Sequence, residues 1–174
     1  MPLTLHAAFV PTALQVVRAT RAVADKAEQH CGEAGITGDD IFAARLIEDM
    51  FPLPFQFYSV YHHTAGALEG VRAGVFGPPS GDMPQSFDAA RALMDKAIAG
   101  LEAASEGEME GWFGQPMRFE MREFKLPFTA DQFLLTFSQP NYMFHAATVY
   151  DILRMRGVPL GKRDFMGQLR LATV

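Results

Sequence analysis

Two uncharged stretches dominate the pattern of hydrophobic and polar positions. Gln132 to Tyr150 lies between Asp131 and Asp151, and Met50 to Leu68 lies between Asp49 and Glu69; each runs nineteen residues without Asp, Glu, Lys or Arg. Both carry polar side chains: Gln132, Ser138, Asn141 and His145 in one, Gln56, Ser59, His62 and His63 in the other. Hydrocarbon would leave those groups without partners, so the pattern predicts helices buried inside a globule, not membrane spans.

The elements around them follow from periodicity and punctuation. Phe9, Ala13, Val16, Val17, Val23, Ala24 and Ala27 recur at helical spacing and predict a first helix from Thr4 to about His30, kinked at Pro11 and ended by Gly32 and Gly35. Thr37-Gly38-Asp39-Asp40 offers caps for a short helix from Asp40 to about Asp49. Pro52 and Pro54 suit the first turn of the next helix, Leu53 to about Val71. Gly74 to Pro84 has loop composition, and Ser86 caps a helix carrying Phe87, Ala90, Met94, Ala97 and Leu101 before it fades at Glu106-Gly107.

From Gln115 to Leu126 the period changes to alternation, which predicts a strand or small β-hairpin closed by Pro127. Thr129 to Gln132 fits a capping box, and a last helix runs from there to about Arg156, with a kink at Pro140 and a stop at Gly157. The tail 160–174 is expected to pack on the helices or on a dimer partner. The economical solution is an all-α fold, a four-helix bundle with a short extra helix and a small hairpin before the last helix, in one domain over residues 1–174.

Composition narrows the function classes. A net charge of -5 and the lack of a Lys/Arg cluster remove the electrostatic basis for nucleic-acid binding. The start, Met1 to His6, lacks a signal-peptide pattern, and the single Cys31 suits a reducing cytoplasm, so a cytoplasmic location is expected. Cys31 is a poor nucleophile where the last-turn carbonyls of a helix raise a thiol pKa. Glycine-rich phosphate loops, nucleophile elbows and His-Glu-x-x-His are missing.

Candidate chemistry sits in the two uncharged stretches. His62, His63, Asn141 and His145 are the candidate metal ligands, with Tyr142 and Asp49 as candidate proton-handling groups. Gln56, Ser59 and His63 share one stripe, while His62 points about 100° away from His63. Asn141 and His145, four residues apart, share a helix face. Buried imidazole needs a partner, and either a divalent metal or a hydrogen-bonded core pair of Asn141 with His145 would supply one; the core pair ranks first. The rings of Phe51, Phe55, Phe57, Phe133, Phe137 and Phe144 predict core packing first and a small apolar pocket second.

Three motifs carry a resemblance: Asp49-Met50-Phe51-Pro52-Leu53-Pro54-Phe55-Gln56, Asn141-Tyr142-Met143-Phe144-His145 and Arg156-Gly157-Val158-Pro159-Leu160-Gly161-Lys162. Together they resemble an uncharacterised bacterial family that looks like a branch of the DinB/YfiT-like superfamily of metal-dependent enzymes. The resemblance implies a DinB-type four-helix bundle and a homodimer. It also implies a divalent metal, zinc or nickel, held by one second-helix histidine (His63 or His62) and by His145, with Asn141 standing where a further histidine is expected. Two functions follow as expectations: a small-ligand-binding or stress-related accessory protein, or a metal-dependent transferase or hydrolase, thiol-dependent in some relatives. Whether the chain is an enzyme stays open at this point.

Overall fold

The computed structural model describes residues 3–172; Met1 and Pro2, and the Thr173–Val174 end of the predicted tail, lie outside the described residues. Helix α1 is Leu5–Ala34, opened by the Thr4 hydroxyl accepting from the Ala7 N–H and closed by Gly35 in the left-handed region at φ 67°. It stays one helix through Pro11. Helix α2 is only Gly38–Phe42, not the stretch from Asp40 to Asp49. Ile41 and Phe42 are buried, but beyond them Ala44 is buried and Leu46 only partly so, while Arg45, Ile47, Glu48 and Asp49 are exposed, so little apolar area holds further turns in place.

The second uncharged run is two helices, α3 Leu53–His62 and α4 Ala65–Ala73, not one. The break has a local cause: the Thr64 hydroxyl donates to the carbonyls of Val60 and Tyr61, competing with the helical ladder. Strand β1, Val75–Phe76, follows. Helix α5, Phe87–Glu102, starts at the predicted Ser86 cap, and a short α6, Glu106–Glu110, follows where the pattern fades.

Strands β2 Pro116–Met121 and β3 Phe124–Thr129 form the antiparallel hairpin, and β1 pairs parallel with β2 to make a three-stranded mixed sheet. The all-α expectation is therefore corrected. Pro127 does not close the hairpin; it pairs with Arg118 inside β3, an edge strand that has no further neighbour to receive an N–H. Helix α7, Ala130–Gln132, leads into a π-helical turn at Phe133–Ser138 and then α8, Gln139–Met155. No capping hydrogen bond forms from Thr129 at this start. The irregularity around Pro140 is thus taken up as a wide turn just before it. Helix α9, Lys162–Met166, lies in the tail and packs on α1, where Gln15 Nε2 donates to the Met166 carbonyl at 2.8 Å.

The molecule is mostly helical. Helices α1, α5, α3 and α8 each pack against two of the others in cyclic order, with α1 and α3 on opposite sides of the core. Phe9, Phe57 and Tyr142, one each on α1, α3 and α8, are fully enclosed, and Phe133 is enclosed on the sheet side against Phe76 and Phe128. This places the polar face of α3 against the polar face of α8.

Candidate functional site

Helices α3 and α8 bring His63 and His145 together: the two rings lie 6.0 Å apart between centroids, with planes 13° from parallel. His63 is buried at the C-terminal end of α3, beside Phe76 and Phe137. His145 is half-buried and flanked edge-on by Phe55 and Phe144 at 5.9 and 5.2 Å.

The protonation pattern of His145 follows from its neighbour. Gln56 Nε2 donates to the Phe51 carbonyl at 2.8 Å, which leaves Gln56 Oε1 to accept from the His145 Nδ1–H at 2.7 Å. The lone pair of His145 is then on Nε2. Burial holds its pKa down to about 4, with a further contribution from His62. Burial lowers His63 more strongly, to about 2, and His62 and His145 add to that effect. Both rings are neutral at pH 7.

His62 lies edge-on to His63 with ring centroids 5.2 Å apart, but its hydrogen bond is made elsewhere, in keeping with the 100° offset. Its Nε2–H donates to the Gly77 carbonyl at 2.8 Å, and its ring stacks on Phe76 at 4.2 Å. Asn141 does not pair with His145. Its amide donates to the Phe137 carbonyl at 2.7 Å, next to the π-helical turn. Tyr142 is fully enclosed against Phe9, and burial pushes its pKa up, so it keeps its proton. Asp49 is exposed in the segment before α3 and makes no hydrogen bond to the histidines. Cys31 is buried near the end of α1, and burial raises its thiol pKa.

Four buried polar atoms lack a partner among the described residues: Ser59 Oγ, His63 Nδ1, Ser138 Oγ and Tyr142 Oη. Ser59 and His63 stand four apart on α3; Ser138 and Tyr142 stand four apart at the head of α8, on the opposing strip. The candidate list from the sequence omits Gln56, Ser59 and Ser138. A signal for Gln56 was available, since an amide seven residues before His63 in an uncharged run shares its face.

A zinc or nickel ion, as the resemblance implies, needs three protein ligands when one position stays open. Among the described residues, no group of three or more His, Cys, Asp or Glu side chains is placed to hold an ion. His62 is engaged on Gly77, and Asn141 on Phe137; Gln56 is engaged on His145. The donor set among the described residues is two imidazoles backed by committed amides, and the third ligand that an open zinc site needs is not among them.

The model of a family described as a domain of unknown function (DUF1993) matches residues 5–166. The chain belongs to the DUF1993 family. A crystal structure described as a DinB family member protein from Shewanella denitrificans is similar to this DUF1993 chain with a TM-score of 0.77 and 22% identity, covering 98% of this chain and 96% of that one. That likeness shows a fold related to DinB. Among curated proteins, none matches the chain. No helix of the described residues is long and apolar enough to cross a membrane.

Proposed function

We propose that this DUF1993 chain is a four-helix bundle of DinB type that binds a small, neutral, polar molecule at the His63–His145 pair and acts as an accessory protein without metal chemistry of its own. One observation carries the reading: Gln56 holds the Nδ1–H of His145, which leaves Nε2 as an acceptor in a site where both imidazoles are uncharged. A neutral hydrogen-bond donor matches such an acceptor. A cation would lack a compensating carboxylate there, and a carboxylate would lack a cation. Phe55 and Phe144, edge-on to His145, favour an apolar or aromatic body on that donor.

Benzamide and benzyl alcohol are suitable probes. Titrated into 15N-labelled protein at pH 7.5, they are expected to shift the His145 Nε2 resonance saturably, and His145→Ala removes the binding. Zinc, added without probe, leaves that resonance and the melting temperature unchanged. Saturable zinc binding that depends on His63 and His145, or no response to either neutral probe, refutes the proposal.

A further inference from the structure

Phe55 also borders a groove of about 690 Å³, lined among others by Asp39, Phe42, Phe51, Pro79 and Met83. Its walls come from three places in the chain: α2, the head of α3 and the segment between β1 and α5. The volume falls within the roughly 300–1,000 Å³ usual for small-molecule sites. Its walls are rigid for sequence reasons. Pro52 and Pro54 fix the backbone at the head of α3, and Pro79 does so across the groove. On the opposite flank of that segment, Tyr58 Oη accepts from the Gly81 N–H at 3.0 Å and pins the loop that carries Pro79 and Met83 to α3.

Phe51 is 62% exposed, yet its ring stacks on Phe55 with centroids 4.1 Å apart and planes 21° from parallel. The pair leaves one aromatic face open. An exposed aromatic ladder beside an apolar slot is a surface that a flat ring can extend. Among the described residues the lining contains a single ionisable side chain, the exposed Asp39, and the chain as a whole carries a net charge of -5.

From this we infer a second binding site: the groove receives a flat aromatic cation, its rings stacked on Phe51 and its ammonium directed to Asp39. Ring stacking on Phe51 supplies the contact area, and Asp39 supplies the preference for positive charge. Anions of the same shape are repelled by Asp39 and by the net charge. This site uses residues apart from His63 and His145, so its failure leaves the proposal for the histidine pair standing, and the converse holds.

Three probes of equal shape separate the terms: 1-naphthylmethylammonium, 1-naphthylmethanol and 1-naphthoate. Binding is followed at pH 7.5 by calorimetry and by the Met83 methyl resonance. The ammonium is expected to bind about 3- to 5-fold more tightly than the alcohol, the size of a solvent-exposed ion pair. The naphthoate is expected to bind most weakly. Asp39→Asn brings ammonium and alcohol to equal affinity, and Phe51→Ala, at an exposed position, weakens both by about 5-fold or more. His145→Ala leaves the Met83 shift intact. Equal binding of all three probes, a shift that bypasses Met83, an Asp39→Asn variant that keeps the preference, or no binding overturns the inference.

Discussion

Replacing Gln56 tests the hydrogen-bond chain on which the candidate site depends. In Gln56→Leu a side chain of similar length is kept, but the Nδ1–H of His145 loses its acceptor and the Phe51 carbonyl loses its donor. Gln56 is 2% exposed, so water does not simply take its place on the ring side. Two hydrogen bonds of net worth near 1 kcal/mol each, plus a partly stranded imidazole N–H, give an expected loss of about 2–3 kcal/mol at pH 8. Urea unfolding reads the loss as a lower midpoint at unchanged slope.

The pH dependence provides a second reading of the same perturbation. Burial keeps folded His145 at about 4, below the ordinary 6.5. Between those values the unfolded chain binds the proton and the folded chain does not, so stability is full above pH 6.5 and declines as pH falls towards 4. At about 1.4 kcal/mol per pH unit the decline from this group approaches roughly 3 kcal/mol, and His63 adds to it with the same sign. Gln56→Glu sets a carboxylate against the Nδ1–H and raises the His145 pKa, which NMR titration measures directly. A Gln56→Leu protein within about 0.5 kcal/mol of the parent, or a His145 that titrates near its ordinary value in the folded chain, would refute the reasoning.

Other substitutions separate groups that have partners from groups that lack them. Asn141→Leu removes the side-chain donor to the Phe137 carbonyl and is expected to cost about 1 kcal/mol by urea unfolding, without changing the His145 resonance. Tyr142→Phe removes a buried hydroxyl with no partner among the described residues, so stability is expected to hold or to rise by up to about 1 kcal/mol; a clear loss would show that the hydroxyl is satisfied. Gly70→Ala would bring a Cβ to 2.7 Å from Phe76 Cδ2, and Phe76 is buried against the His62 ring. It is expected to cost about 1–3 kcal/mol and to move the His62 ring signals.

Much of the helical frame is written in local pattern. The Thr4 and Ser86 caps, the apolar stripe of α1 and the alternation around Met117 are set by residues within a turn or two of each other, and all appear in the fold. The meeting of His63 and His145 rests on two faces whose spacing is also local, 56-59-63 on one helix and 138-141-145 on the other. What the chain order alone could not decide depends on contacts across the core. In the folded molecule Tyr142, not Asn141, fills the centre, and Gln56, not Asn141, holds His145. The third strand is likewise a tertiary event: Val75 and Phe76 are too short a run to signal pairing until β2 arrives beside them. Period and capping act over one turn of chain, whereas partners for buried polar atoms are chosen across it, and that difference in range separates what was legible from what only the folded molecule determined.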